Sequence, residues 1–258
     1  MGEYTKTFIK SHFCDLLLSV PKTIYFNFKV LPFKSAIKFP FVVSKDVKLQ
    51  GVNRNSFIVN ADKLPTASMR IGFGESLNAR RESKRGLISI GKKGKIIVGK
   101  DLGLSQGCIL IANEACITLG NHFRCSYSTT IDCYGEDITI GDDVVCGWNV
   151  TIRNGDGHRI IYNGNANPLS KTIYIDNHVW ICANATVLKG THILSDSIVA
   201  YGSLLTKTID KERVLYVGVP AKVLREGVSW EERMLSMKES LYKIGGTKLC
   251  ILSRRLSS

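Results

Sequence analysis

The chain has 258 residues, enough for one large domain or two small ones with an ample core, and its 44% apolar and 22% charged residues are an ordinary globular composition. No stretch reaches the roughly 20 apolar residues of a membrane span. Asp15 interrupts the only apolar core near the N-terminus and no cleavage site follows, so a cytoplasmic protein is expected. Eight cysteines without a CxxC spacing give neither a zinc knuckle nor a secreted disulfide framework. The net charge of +13 asks for an anionic partner: cofactor phosphates, an acidic saccharide, nucleic acid or an anionic membrane surface.

Residues 1–50 form the first expected unit. Residues 1–48 hold eight lysines against Glu3, Asp15 and Asp46. On a helix drawn from Thr5 to Val20, Phe8, Ile9, Phe13, Leu16, Leu17 and Val20 fall on one side. "PKTIYFNFKVLPFKSAIKFP" then alternates aromatics and lysines between prolines. Two readings stand: a cap on the open end of a repeat domain, or a peripheral membrane foot that brings the protein to a lipid-linked saccharide. A second basic run, "RRESKRGLISIGKKGK" at 80–95, lies where β-structure is expected to begin.

Residues 51–226 form the second unit. "IIVGKD" (96–101), "ITLGNH" (117–122), "ITIGDD" (138–143) and "IYIDNH" (173–178) look alike, and a fixed period signals a stacked solenoid. Counted in sixes, Val98 leads to Leu104 and Leu110, Leu119 to Cys125 and Ile131, and Ile140 to Cys146 and Ile152. Ile175 leads to Ile181, Val187, Ile193, Val199 and Leu205. All of these are aliphatic or cysteine, and the residues between are mostly Gly, Asn, Asp, Ser and Thr. A period of six fits neither an α-helix nor a flat strand. It fits three short strands per turn, with the repeat side chains pointing into a prism and turns stacked at about 4.8 Å. Cys125 and Cys146 then fall in one core column between Leu104 and Ile181.

The departures from six all leave from one corner. Leu110 to Leu119 and Ile131 to Ile140 take nine residues, and Ile152 to Ile175 takes 23. The largest excess is a loop over about 158–172 that starts at His158, and long loops on rigid scaffolds are usually functional. His122 and His178 occupy equivalent places three residues past Leu119 and Ile175, which makes them corner residues, and His192 is read the same way. His158 breaks the repeat and follows Asp156. Residues 227–258 close the chain: Ser229 and Glu232 form a capping box that predicts a helix starting at Trp230, followed by a frayed tail.

The hexapeptide rhythm over roughly residues 88–226, with "NHVWICANATVLKG" (177–190), "VAYGSLLTK" (199–207) and "VGVPAKVLRE" (217–226), resembles the left-handed β-helix acyltransferases. The maltose and galactoside acetyltransferases are similar in these stretches. Bacterial polysaccharide O-acetyltransferases are similar in a "DxH" followed by "HVW", here Asp156–His158 and His178–Trp180. Asp176 and Cys182 depart from the family, which often has glycine there.

The resemblance implies an all-β fold, a left-handed parallel β-helix between an N-terminal cap segment and a C-terminal α-helix. It also implies acetyl-CoA as co-substrate, no metal, a homotrimer, and a sugar hydroxyl of a surface polysaccharide or its precursor as acceptor, lipid-linked or polymeric, with no nucleic acid partner. His158 becomes the general base. An imidazole with an ordinary pKa near 6.5 can take the hydroxyl proton, so that the oxygen attacks the thioester directly. Asp156 either orients the imidazole or is an Asx-type turn residue. Trp180 suits a sugar ring or the pantetheine arm. By the resemblance, Ala183, Tyr201, Gly202, Thr206 and Lys207 line that arm and Lys222 meets the nucleotide phosphates.

Counting corners puts His158 at the third and Trp180 at the first, roughly 16–20 Å apart at strand rise. If both serve one acetyl group, they come from neighbouring subunits, which predicts three shared sites in a closed trimer. Alternatives are an N-acetyltransferase of sugar nucleotides, a metal enzyme similar to γ-class carbonic anhydrases, whose histidine cluster is missing here, and a non-enzymatic β-helix subunit.

Overall fold

A computed structural model of the chain describes residues 13–73, 85–208, 210–231, 243–244 and 247–248. Three parallel sheets form the sides of a prism, and the chain visits them in the order A, B, C once per turn. In the fifth turn, Val145–Cys146 lies in sheet A, Thr151–Arg153 in sheet B and Ile173–Ile175 in sheet C. The repeat positions counted in sixes are at most 3% exposed, from Val98 through Leu205. Their stacking follows the sequence arithmetic, with Leu104, Cys125, Cys146 and Ile181 in register in sheet A. Burial holds the Cys146 thiol well above its ordinary range and pushes Cys133 up to about 12, so both sit neutral in the core.

The corners between sheets C and A carry Asp101, His122, Asp143, His178 and Asp196 at φ of 55–58°. Asp, Asn and His tolerate the left-handed region better than other non-glycine residues, which is why the turns can do without glycine there. A ladder of side chains stitches this corner. Asp142 Oδ1 accepts from the Asn121 N–H at 2.7 Å, and Asn177 Oδ1 accepts from the Asp142 N–H at 2.8 Å. His178 is a corner residue as expected, with Nδ1 2.7 Å from Asp196 Oδ1. His192 is not. It lies in the strand His192–Ile193 on the outer face of sheet C, with Nε2 2.8 Å from Asp176 Oδ1.

The β-helix begins earlier than the hexapeptide rhythm suggests. Phe41–Val43, Val47–Gln50 and Phe57–Val59 form a first turn, so two strands fall inside the segment expected to be only cap. The rhythm is hidden because extra residues separate Phe57–Val59 of sheet C from Met69–Ile71 of sheet A, and that strand from Gly86–Ile90 of sheet B, so excess also leaves from the C–A and A–B corners and not from one corner alone. At the far end, Val214–Gly218 continues sheet A and Ala221–Glu226 folds back antiparallel on it. Trp230 and Glu231 are not helical, so no helix starts at Trp230. The rest of that expected helix lies outside the described residues, apart from Lys243–Ile244, which pairs antiparallel with Thr247–Lys248.

Helix α1, Phe13–Val30, runs through Pro21 and is followed by the short helix α2, Phe33–Ala36. Pro21 is on the exposed side, where the loss of one helical hydrogen bond is cheapest. The helix caps the prism through a polar stripe spaced every four residues. Ser19 Oγ accepts from the Lys45 N–H at 2.9 Å and Thr23 Oγ1 from the Val43 N–H at 3.0 Å. Asn27 takes both backbone groups of Phe41, accepting from its N–H at 3.2 Å and donating to its carbonyl at 2.8 Å. These are the groups that a preceding strand of sheet A would have bonded. Phe26 fills the space beneath, edge-on to Phe41 and Phe57 at 5.0 and 5.2 Å between ring centroids.

Candidate active site

The strand Thr151–Arg153 ends sheet B in the fifth turn, and the 23-residue step then leaves between sheets B and C. Asn154 roots the excursion. It is fully buried, its amide oxygen accepts from the Tyr134 N–H at 2.8 Å, and its amide nitrogen donates to the Glu136 carbonyl. The two legs of the loop close on each other above it. Lys171 N–H donates to the Asn154 carbonyl at 3.0 Å, Gly155 bridges Ser170, and Asp156 N–H donates to the Leu169 carbonyl at 2.8 Å. The tip is an exposed hairpin of Ile161–Tyr162 and Asn165–Ala166.

His158 stands between root and hairpin. Its side chain is exposed and has no hydrogen-bond partner among the described residues. Gly157, just before it, lines a cavity of about 310 Å³ together with Tyr134, Arg153, Asp156 and Leu169. Arg153 is held over the same cavity by Asp132, with Nε 3.3 Å from Oδ2. The Asp156 carboxylate does not orient the imidazole in this structure. It pairs with Lys189 Nζ, which also donates to the Pro168 carbonyl at 2.7 Å. Lys189 is a site residue that the sequence reading missed. The signal was in the repeat: Arg153 stacks on Leu188, so Lys189 follows directly over Asn154.

The remaining expected residues fall into two patches. Thr206 and Lys207 follow the last strand of sheet B, so they share the B–C corner with His158, two turns further along, and both are exposed. Ala183 and Gly202 lie at the A–B corner in successive turns, where Gly202 N–H donates to the Ala183 carbonyl at 3.0 Å. Tyr201 is 65% exposed there and its hydroxyl accepts from Asn184 Nδ2. Lys222 is exposed on the returning strand Ala221–Glu226, opposite Val217.

Trp180 is on a strand, Trp180–Ile181 of sheet A, rather than at a corner, and it is 39% exposed. Sheet A is the face opposite the B–C corner. The body of the prism therefore stands between Trp180 and His158 within one chain. Two further aromatics extend the A–B corner below Ala183. Tyr127 and Trp148 stack with ring centroids 5.9 Å apart and planes 6° apart. Trp230, expected as the first residue of a helix, instead lies on His178 at 4.4 Å and 9° and donates from Nε1 to its carbonyl at 2.9 Å. It also approaches the Trp180 ring at 6.1 Å. Among the described residues no group of three His, Cys, Asp or Glu side chains is placed to hold a metal ion.

No family model matches the chain. A galactoside O-acetyltransferase of Escherichia coli (strain K12) is 35% identical over 111 residues, 42% of this chain and 53% of that one. A polysialic acid O-acetyltransferase of Neisseria meningitidis is 29% identical over 99 residues, 38% of this chain and 46% of that one. The chain spans about half the length of the curated relatives it matches. Among solved structures, the polySia-specific acetyltransferase NeuO superposes with a TM-score of 0.53 at 20% identity, over 78% of this chain and 92% of that one. The shared fold is the left-handed parallel β-helix.

Proposed function

We propose that this chain is an acetyl-CoA-dependent O-acetyltransferase acting on a sugar hydroxyl of a bacterial surface polysaccharide or its precursor. One observation carries the reading: an exposed histidine without a hydrogen-bond partner among the described residues, next in sequence to Gly157 of the cavity wall, on a loop whose root is fixed by a buried asparagine. The similarity to galactoside and polysialic acid O-acetyltransferases supports the choice of acetyl as the transferred group and of a saccharide as acceptor class.

In this reading His158 takes the proton of the acceptor hydroxyl as its oxygen attacks the thioester carbonyl. A C–O bond forms, the tetrahedral oxyanion collapses, and the C–S bond breaks. The imidazolium returns its proton to the departing thiolate, releasing CoA with a free thiol. The fixed loop root keeps the imidazole in reach, which is worth as much as its basicity.

The two patches meet only between chains. Closed threefold packing puts the B–C corner of one prism, with His158, Thr206 and Lys207, against sheet A and the A–B corner of the next, with Trp180, Ala183, Tyr201 and Gly202. The CoA arm then runs between neighbouring prisms and Lys222 meets its phosphates.

The test is complementation. His158→Ala and Trp180→Ala are each inactive in CoA release with a panel of saccharides, with the product identified by mass spectrometry. Co-refolded in equal amounts, mixed trimers carry one intact site each and recover about a quarter of the wild-type rate. Mixed trimers that form yet stay inactive overturn the shared site. Wild-type protein that transfers acetyl to no hydroxyl, and instead to an amino sugar, overturns the O-acetyltransferase reading.

A further inference from the structure

Helix α1 departs from a simple amphipathic helix: it buries Ser19 and Asn27 together with Phe26 and Val30. Its polar stripe of Ser19, Thr23 and Asn27 is turned inward, because the edge of sheet A needs its backbone groups bonded. A further set of apolar side chains is left outside. Phe13, Leu17, Leu18, Ile24 and Tyr25 are 43–63% exposed, and Phe33 of α2 continues the patch at 67%. A contiguous apolar surface at the end of a prism is a contact surface, since monomers rarely leave one uncovered.

Charge decides what covers it. Lys29, Lys34 and Lys38 are exposed around the patch, and Lys29 Nζ lies 5.9 Å from the Tyr25 ring centroid. Lys22 is not part of this rim, for its amine is turned onto the carbonyls of Lys45 and Val47 at 2.5 and 2.8 Å. The acids of residues 1–48 are Glu3, Asp15 and Asp46 against eight lysines, and Asp46 is already paired with Lys45. A second copy docking by the same face would bring lysines against lysines. An anionic lipid surface offers headgroups to the lysines and acyl chains to the aromatic and aliphatic side chains, the pattern of a helix lying in a membrane interface.

We propose that α1 and α2 dock the protein, end-on, to an anionic membrane surface. The prism axis then stands away from the bilayer. This does not depend on the acyl-transfer chemistry.

The experiment is sedimentation of the full chain with phosphatidylcholine vesicles, with and without about a third phosphatidylglycerol. The protein is expected to bind the anionic vesicles, to be released by high salt, and to bind neutral vesicles weakly. The double variant Leu17→Glu, Ile24→Glu is expected to bind at least about tenfold more weakly. Neutralising Lys34 and Lys38 costs roughly fivefold for each charge. All four side chains are exposed or at the surface, so thermal melting followed by circular dichroism stays at the wild-type value. Folded wild-type protein that ignores anionic vesicles overturns the proposal, and so does binding that survives Leu17→Glu, Ile24→Glu. Light scattering that shows an assembly split by Leu17→Glu, without vesicle binding, assigns the face to a second copy instead.

Discussion

The coils and the loop at 154–172 divide the work of the molecule. In the coils the side chains counted in sixes are buried, inner strands bond neighbours on both sides, and burial keeps the titratable groups of the core, the Cys146 and Cys133 thiols and the Tyr216 phenol, neutral. In the loop the hairpin side chains and His158 are exposed, and order comes from a few hydrogen bonds at the root. If His158 is the base, as proposed, the reactive group sits on an exposed loop outside the buried columns, where its loss is expected to cost little stability. Such a division is available to a solenoid because each turn is held by its neighbours and one turn can extrude a long segment without opening the core.

The strongest way to break this comparison is at His158. Replacing it by Ala is expected to lower transfer by about 10²–10⁴ while the melting temperature stays within error of wild type. Steady-state CoA release and a thermal melt check the two halves together. A large loss of stability would make His158 a structural residue.

The converse substitution is Ile131→Ala. Ile131 is fully buried and stacks between Leu110 and Ile152 in sheet B. Its truncation leaves a cavity between turns and is expected to cost about 2–5 kcal/mol in denaturant unfolding, with kcat per folded molecule little changed. A normal stability would mean that the turns tolerate a void, and the core would then be softer than its burial indicates.

Asn154 is the joint between the two regions, so its replacement sharpens the comparison most finely. Asn154→Ala leaves the Tyr134 N–H and the Glu136 carbonyl without their partner and is expected to cost about 1–3 kcal/mol. Unlike Ile131→Ala it also loosens the loop, so kcat falls while the melt shifts only moderately. Unchanged kcat would show that the loop is positioned by Lys189 and the Asp156 carboxylate rather than by its root.

Much of this fold is legible in the chain alone. The period of six is a property of the chain itself, because a buried column needs an apolar side chain once per strand whatever surrounds it. That period predicted the prism, the core columns and the corner from which the long loop leaves. The first two turns were illegible for the opposite reason: the strands Phe57–Val59, Met69–Ile71 and Gly86–Ile90 are spaced too far apart in sequence for a count in sixes. The N-terminal helix was half legible. Its apolar residues were visible in the spacing of Phe13, Leu17 and Val20, but the helix runs on through Pro21 to Val30, and it buries Ser19 and Asn27 beside Phe26 and Val30 because the edge of sheet A must be bonded.

At the candidate site, sequence singled out His158 because it stands where the rhythm fails. It left open whether Asp156 orients the imidazole or serves the turn. The tertiary structure pairs that carboxylate with Lys189, 33 residues away, since stacking brings successive turns within contact of one another. Trp230 on His178 and the stacked Tyr127 and Trp148 are likewise products of stacking and chain return. The sequence by itself determined what repeats, because periodic burial is written residue by residue. Only the tertiary structure decided which exposed side chains meet, because those contacts depend on register between turns and on which of the three faces each side chain leaves from.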